Sequence, residues 1–419
     1  MNQIQISADT SVDDALAAVS GWIEAEVPER WRVAAAEGTS ALRAVRSADD
    51  YRRWYPTFAR SGLVAPTWLP EHGGLGVSNE VARVIDKLLA PLRLSRLNPL
   101  GLNNAAAALF SHGTKEQRRR FLPPIVRNEE VWCQLFSEPG AGSDLASLAT
   151  KAVRDGFGDE ADWIVTGQKV WTTWADVADF AILLARTNPE APKHAGITYF
   201  ALEMHQPGVE VRPLRQITGE AEFNEVFLDG ARVPDAYRIG EVNDGWRVSV
   251  STLSSERQMV SGSGSGGTGR LGGSSAERLI EVARSAGRWG DPVVRHRVMR
   301  LWAQEQIRGW TNARVRASLS AGQSPGAASS IGKVHQAILN QQIQDLLVDL
   351  LGTSALAWRA GQDSDALPRE VHGMLRSLAN GTEGGTTEIN KNILGERVLG
   401  LPKEPDPWKG KPWKDIPRS

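Results

Sequence analysis

The sequence predicts an α+β protein in which a helical domain, a small antiparallel β domain and a helical bundle follow one another. Apolar residues recur at helical spacing up to residue 128 and again after residue 236. Between these positions, short β-branched and aromatic runs alternate with Gly, Pro, Asn and Asp, which is typical of an antiparallel barrel or sandwich. We therefore expect an N-terminal helical domain (1–128), a central β domain (129–236), a C-terminal bundle of the four-helix type (237–402) and a tail (403–419).

Two helices of the N-terminal domain have recognisable caps. Ser11 precedes the first helix, and Thr114 precedes the last, with Gln117 at the capping-box position. The predicted helices of this domain cover residues 12–23, 48–61, 79–90 and 100–112 and a stretch that begins at Lys115.

The central and C-terminal domains differ in their periodicity. The expected strands cover residues 148–153, 163–170, 180–186, 197–202, 209–214 and 221–228. The expected helices of the bundle cover residues 246–261, 276–286, 292–319, 331–351, 368–380 and 387–398. A Gly- and Ser-rich segment, 261–275, interrupts the bundle, and we expect a mobile lid or an insertion there.

Composition excludes several classes of protein. The 419 residues carry a net charge of −1, so no basic surface predicts a nucleic-acid or anionic-membrane partner. The single cysteine, Cys133, excludes an internal disulfide framework and a cysteine-based metal site. No apolar run approaches the length of a membrane span, and the N-terminus lacks a secretory signal. We expect a cytoplasmic protein without a metal.

The segment 134–144, Gln-Leu-Phe-Ser-Glu-Pro-Gly-Ala-Gly-Ser-Asp, is a short apolar strand that breaks into a rigid turn. Pro139 fixes its own φ, while Gly140 and Gly142 permit conformations closed to other residues. The main-chain N–H groups and hydroxyls of such a turn could hold a flat, polar ligand. An ordinary hairpin turn is the alternative.

Three motifs in order resemble the acyl-CoA dehydrogenase family of flavoproteins. They are Ser-Glu-Pro-Gly-Ala-Gly-Ser-Asp (137–144), Gly-Gln-Lys-Val-Trp-Thr-Thr (167–173) and Gly-Thr-Thr-Glu-Ile (385–389). Matches run from residue 62 to residue 402, and Ile-Leu-Gly-Glu-Arg-Val-Leu-Gly-Leu-Pro (393–402) resembles the end of actinobacterial members. The resemblance implies the fold predicted above, bound FAD and an acyl-CoA substrate.

The resemblance also implies which residues hold the cofactor. Main-chain Phe136 and Ser137 serve the pyrimidine edge of the flavin, and Gln134 lies alongside. Trp171 lies against the ring, and the Thr173 hydroxyl reaches N5, where donors stabilise the charge of a reduced flavin. Three residues at a helix start are expected to bind the phosphate and ribose region of the flavin cofactor: Thr386, Thr387 and Glu388. Read alone, Trp171 could equally be a core aromatic and Thr173 a strand residue.

The catalytic base is displaced from its commonest position in the family, directly before the Gly-Thr turn. That position is Gly384 here, whereas Glu256-Arg257 matches the relocated base of isovaleryl- and long-chain-type members. We therefore expect Glu256 to take the α-proton. An exposed helical charge pair is the alternative for Glu256 and Arg257, and Glu383 is a second candidate base.

The substrate side of the site follows from the same resemblance. Ser143 is expected to meet the CoA arm, and Arg257 to contact the substrate. Gly384 and Gly385 are expected to border the thioester, with a main-chain N–H of Gly384 directed at its oxygen.

In homotetrameric members, two segments bind the adenine half of the flavin in a neighbouring subunit. The corresponding segments of this chain depart from the family pattern. In residues 286–290, Ala286 stands where the pattern Arg-x-x-Phe-Gly begins with arginine. In residues 349–354, Thr353 stands where the pattern Gln-x-x-Gly-Gly-x-Gly has its second glycine. We expect a homo- or hetero-oligomer, either a tetramer or a dimer, and these departures suggest pairing with a different, related subunit. The leading function is dehydrogenation of an acyl-CoA, of fatty acid or steroid catabolism, with electrons passed to an electron-transfer flavoprotein. A flavin-dependent monooxygenase or oxidase and a non-catalytic partner subunit are the alternatives.

Overall fold

A computed structural model describes residues 4–158, 160–260, 274–321, 326–357 and 367–417, and for residues 39, 254–260, 319–320, 326 and 329 it describes the backbone only. Within these ranges the chain forms thirteen α-helices and seven strands in the predicted order of helical, β and helical parts. The α+β architecture is therefore confirmed.

Seven helices form the first part of the chain. They are α1 (Val12–Glu26), α2 (Glu29–Glu37), α3 (Thr39–Val45), α4 (Ala48–Arg60), α5 (Asn79–Leu89), α6 (Ala106–His112) and α7 (Lys115–Arg127). The Ser11 hydroxyl accepts the Asp14 N–H, and Thr114 and Gln117 form a capping box, so both predicted caps are confirmed. The sequence did not predict α2 or α3, because both helices are short and the two buried residues of α2, Trp31 and Ala34, are too few to establish a helical period.

Seven strands form one curled sheet. They are β1 (Trp132–Leu135), β2 (Lys151–Arg154), β3 (Trp163–Thr173), β4 (Phe180–Arg186), β5 (Ile197–Glu203), β6 (Val209–Leu214) and β7 (Phe223–Val233). The order is β1-β4-β2-β3-β7-β6, with β5 paired to β4. The predicted antiparallel pairing holds for β2–β3, β3–β7, β4–β5 and β6–β7, whereas β1 runs parallel to β4 and β2 meets β4 in parallel at one residue pair. Hydrophobic alternation identifies strands but does not encode the direction of their partners.

The strands β1 and β4 carry the core that joins the sheet to the helices. Trp132 stacks on Phe180 at 5.3 Å between ring centroids, and Phe121 of α7 meets Trp132 edge-on at the same distance. Cys133 points to the opposite side of β1 and is fully buried, and burial raises the pKa of its thiol.

Six helices form the last part. They are α8 (Gly245–Val260), α9 (Ala276–Ser285), α10 (Pro292–Ser320), α11 (Ser329–Leu351), α12 (Arg369–Ser377) and α13 (Thr387–Arg397). The helix α11 packs against α9, α10, α12 and α13, and its Ile343 and Leu346 lie in a core with Leu279 and Val298. Residues 261–273 of the expected lid lie outside the described residues, and Ser275 caps α9.

Candidate functional site

A buried ion pair fixes the turn that follows β1. The Lys169 ammonium is fully buried and donates to Glu138 Oε1 at 2.8 Å, to the Phe136 carbonyl at 3.0 Å and to the Leu184 carbonyl at 2.8 Å. These three bonds use all its hydrogens. The Glu138 carboxylate also accepts the backbone N–H groups of residues 149 and 150. Buried bonds on the inner side of the sheet therefore fix the turn, and its outer edge can contact a ligand.

Each member of this pair shifts the pKa of the other. Burial acts to raise the pKa of Glu138, but the Lys169 ammonium and the N–H donors outweigh it, so the carboxyl pKa is lowered. Burial lowers the pKa of Lys169, and the Glu138 charge opposes that change. A buried charge pair of this kind keeps its geometry because either charge alone would be costly.

The turn and the end of β3 form one surface. The Val170 N–H donates to the Ser137 carbonyl at 2.9 Å, which places Trp171 beside the turn. Trp171 is 62% exposed and has a φ of +61°, a left-handed conformation that non-glycine residues rarely adopt. Its ring meets Phe223 edge-on at 6.1 Å, and half-buried Thr173 lies opposite Phe223 in the β3–β7 register. An exposed, strained tryptophan at a strand end indicates a binding surface.

Gln134 connects this surface to α8. Its side-chain oxygen accepts an N–H of Asn104 at 2.8 Å, and the Asn104 carbonyl lies 3.4 Å from the Thr252 hydroxyl. Thr252 also lies 2.9 Å from the Tyr199 hydroxyl. The helix α8 continues through Glu256 and Arg257, whose side chains lie outside the described residues.

A second set of contacts brings the C-terminal motif to the same place. The Arg376 guanidinium binds the Glu383 carboxylate at 3.0 Å and the Glu222 carboxylate at 3.4 Å. It also lies 5.9 Å from the centre of the Phe223 ring, which in turn contacts Trp171. Arg376 therefore joins α12 and the turn before α13 to the start of β7.

That turn has the backbone of a tight helix entry. Gly384 and Gly385 have φ values of +65° and +82°, which glycine adopts without strain. The Thr386 hydroxyl accepts the Ile389 N–H at 3.1 Å and caps α13, whereas Glu388 is exposed. The N–H groups of Thr387 and Glu388 begin the helix and have no partner within it. Such a start attracts an anion.

Ser143 lies on the exposed side of the β1 turn. The neighbouring Asp144 carboxylate binds the Lys193 ammonium at 2.9 Å and accepts the Ser147 hydroxyl at 2.5 Å. Burial acts to raise the pKa of Asp144, but these two donors lower it below its ordinary value.

The structure brings Phe136, Ser137, Trp171 and Thr173 together and connects them to Gly384 and Thr386. The sequence motifs contained Glu138 and Lys169, but their burial was not foreseen, and Arg376 and Phe223 were missed. A lysine at an inward position of a strand was the available signal for Lys169. Arg376 and Phe223 lie in different domains, and no local pattern connects them.

Comparison with known proteins decides the family. The acyl-CoA dehydrogenase N-terminal, middle and C-terminal domain models match residues 15–129, 133–231 and 243–399. Acyl-CoA dehydrogenase IpdE1 of Mycobacterium tuberculosis is 36% identical over 402 residues, which cover 94% of this chain and 98% of IpdE1. The chain belongs to the acyl-CoA dehydrogenase family of oxidoreductases.

Other members of the acyl-CoA dehydrogenase family extend this comparison. FadE34 of Mycobacterium tuberculosis is 41% identical over 345 residues, or 82% of this chain, and the match spans 45% of the length of FadE34. The Tcur3481-Tcur3483 steroid ACAD structure has a TM-score of 0.72 and 26% identity over 94% of this chain and 98% of its own. The ChsE4-ChsE5 complex of Mycobacterium tuberculosis has a TM-score of 0.68 and 28% identity over 96% of this chain and 100% of its own.

The described part of the chain lacks two features. None of its helices combines the length and apolar character that a bilayer span requires. The same residues contain no group of three or more His, Cys, Asp or Glu side chains arranged to hold a metal ion.

Proposed function

We propose that this acyl-CoA dehydrogenase family member catalyses FAD-dependent α,β-dehydrogenation of an acyl-CoA thioester. The observation that carries the proposal is the meeting of the Trp171–Thr173 strand end with the turn before α13, through Phe223 and Arg376. A stacking surface and an anion-attracting helix start lie on one connected framework, as a cofactor with a flat ring and a diphosphate requires.

The residues fit FAD on two counts. The exposed ring of Trp171 offers a face for an isoalloxazine, and the start of α13 offers the N–H groups of Thr387 and Glu388 to a diphosphate. Main-chain Phe136 and Ser137, with Gln134 beside them, would serve the pyrimidine edge, and Thr173 would serve N5. Thr386 shapes the helix start because its hydroxyl caps α13. When bound, FAD accepts the hydride from the β-carbon.

Glu256 is the proposed base for the α-proton. It follows Thr252 by four residues, so its Cα lies on the same face of α8 as a residue that contacts Asn104 and Tyr199. Glu383 is the weaker candidate because Arg376 binds its carboxylate and Asn380 donates to it at 2.7 Å. Both carboxylate oxygens of Glu383 are thus already engaged by donors of the protein.

Four further residues are proposed to contact the thioester or the CoA arm. Gly384 has a left-handed backbone conformation and no side chain. It would direct its N–H toward the thioester oxygen, with Gly385 beside it. Ser143, on the exposed side of the β1 turn, would meet the CoA arm. Arg257 would contact the substrate.

The names of similar proteins support a substrate class and a partner. One similar structure is of a steroid ACAD, and another is of a two-chain complex. We propose a bulky, steroid-type acyl group and assembly with a second acyl-CoA dehydrogenase chain, homologous or identical. An electron-transfer flavoprotein would take the electrons.

Anaerobic titration of the purified protein with acyl-CoA thioesters tests the function. Loss of the flavin absorbance on addition of a steroid-side-chain or branched acyl-CoA is expected. Flavin that appears only on co-expression with a second chain would support shared binding. A third outcome would favour the oxidase alternative over the proposal. In that case no thioester would reduce the bound flavin, whereas a separate reductant would reduce it and oxygen would reoxidise it.

The base assignment is tested by comparing Glu256→Gln with Glu383→Gln. Glu256→Gln is expected to abolish flavin reduction by the thioester while flavin stays bound, because only the proton acceptor is removed. Glu383→Gln should retain measurable reduction, since its carboxylate serves Arg376. The opposite pattern would assign the base to Glu383.

A further inference from the structure

The C-terminal segment, residues 403–417, returns to the sheet instead of extending from α13. Trp413 is 8% exposed, and its backbone N–H donates to the Ala191 carbonyl at 2.9 Å. The next N–H, of Lys414, donates to the Pro189 carbonyl at 3.1 Å, and its ammonium binds Glu190 at 2.7 Å. This segment lies beyond residue 399, where the match to the C-terminal family model ends.

Trp413 covers a buried arginine. The Arg186 guanidinium is 4.6 Å from the centre of the Trp413 ring, and Arg186 is only 3% exposed. Burial lowers the pKa of Arg186 to about 10, and the Glu138 charge acts in the opposite direction. The Trp413 ring therefore shields a cation that has little access to water.

Arg186 joins the backbone that follows the β1 turn to the β4–β5 loop. It donates to the Ala146 carbonyl at 2.6 Å and the Leu148 carbonyl at 3.2 Å, and to the Lys193 carbonyl at 2.7 Å. Trp413 itself donates its indole N–H to the Ser147 carbonyl at 3.3 Å. The arginine, the tryptophan, the segment after the turn and the β4–β5 loop thus form one packed unit.

The same packed unit is connected to Ser143, the residue proposed to contact the CoA arm. The Ser147 hydroxyl and the Lys193 ammonium both bind the Asp144 carboxylate, one residue after Ser143. On the other side of the loop, His194 meets Trp246 of α8 edge-on at 4.7 Å. Loss of Trp413 would remove the ring that covers Arg186 and the hydrogen bond to the Ser147 carbonyl, and so would loosen the backbone that follows Ser143.

We propose that Trp413 is a positioning residue for the acyl-CoA site. It acts through Arg186 and the Ser147 carbonyl on the binding wall, which is the segment 143–148 that begins with Ser143. The inference rests on the proposed function for the identity of the ligand. A residue that positions a binding wall changes the affinity for the thioester more than the rate of the chemical step. The C-terminal segment accordingly supports the proposed substrate site through these contacts.

The test compares Trp413→Ala with the wild-type protein, each with FAD bound. We expect KM for the acyl-CoA to rise roughly 10-fold, with kcat changed by no more than about twofold. Calorimetric titration with free CoA should show a weakening of about the same factor. This second measurement needs no turnover, so it tests the inference even if no thioester reduces the flavin and the proposed function fails.

Two variants make the result specific. Trp413→Phe keeps a ring over Arg186 but loses the indole N–H, so its KM should lie between those of Trp413→Ala and the wild type. Trp408→Ala is the matched control, because Trp408 lies in the same segment, is 36% exposed and carries Lys411 over its ring at 4.5 Å. Its KM should be unchanged.

Three results would overturn the inference. The first is a Trp413→Ala protein with lowered thermal stability and unchanged CoA affinity. The second is a loss confined to kcat. The third is an equal rise of KM in Trp408→Ala. If Trp413→Ala does not fold, the comparison of Trp413→Phe with Trp408→Ala decides the question.

Discussion

At the scale of single residues, Lys169 and Glu138 determine the shape of the turn after β1. Every ammonium hydrogen of Lys169 has an acceptor, and one of these acceptors is the Phe136 carbonyl at the proposed flavin edge. The pair therefore couples the stability of the sheet to the position of main-chain groups that a cofactor would contact.

Lys169→Met is expected to lower the free energy of unfolding by about 3–5 kcal/mol, because it leaves the Glu138 carboxylate buried without its partner. Urea denaturation at pH 7 measures the change. Lys151→Met is the control: Lys151 is an exposed lysine on the neighbouring strand β2, and its loss should cost no more than about 0.5 kcal/mol. Equal effects of the two substitutions would contradict the structural role of Lys169.

The pKa of Glu138 sets the direction of a pH effect. Its folded-state pKa lies below the unfolded value of about 4.3, so the unfolded chain binds more protons as the pH falls. The stabilisation is fully present above that unfolded value and is lost as the pH falls through the folded pKa. Unfolding midpoints at pH 7, 4.5 and 3 should fall less steeply in Glu138→Gln than in the wild type. Parallel pH profiles would exclude this contribution.

At the scale of elements, the start of α13 combines two glycines of positive φ with a threonine cap. Thr386→Ala should lower stability by about 1 kcal/mol because the Ile389 N–H loses its acceptor. Thr386→Ser keeps the hydroxyl and should retain wild-type stability. If the helix start also holds the diphosphate, Thr386→Ala protein should lose flavin on dialysis faster than Thr386→Ser protein; equal retention would separate the cap from cofactor binding.

The sequence predicted those elements whose signals are local. The caps at Ser11 and Thr114 and the bounds of β4 and β6 agree with the structure, because caps and alternation act within a few residues. The helices α2 and α3 and the parallel pairing of β1 with β4 were not predicted, since they depend on packing between distant segments. The contacts of Arg376 and Trp413 were missed for the same reason.

At the scale of the whole molecule, the outer face of α10 is unusually apolar. One side of this helix packs in the bundle, while Met299, Trp302, Ile307 and Trp310 are exposed, Trp310 by 68%. Their spacing places them along one broad stripe of the helix. Exposed apolar side chains grouped in this way are typical of an interface between proteins, which supports the proposed assembly with another acyl-CoA dehydrogenase chain.

Trp310→Glu is therefore expected to shift the protein from a dimer or larger assembly toward the monomer, because it introduces a charge into that interface. Light scattering during size-exclusion chromatography measures the mass. Phe157→Glu changes an aromatic residue that is also highly exposed, at the β2–β3 turn, and should leave the mass unchanged. A wild-type protein that is monomeric, both alone and with its co-expressed partner, would contradict the prediction.

The burial of Cys133 has a practical consequence for labelling. It is the single thiol of the chain, it is fully buried, and its raised pKa keeps it protonated, so maleimides should not react with the folded protein. A cysteine introduced at any exposed position would then be the one reactive thiol. A fluorophore placed on the C-terminal segment and another on the β4–β5 loop could thus report their separation without removal of the native cysteine.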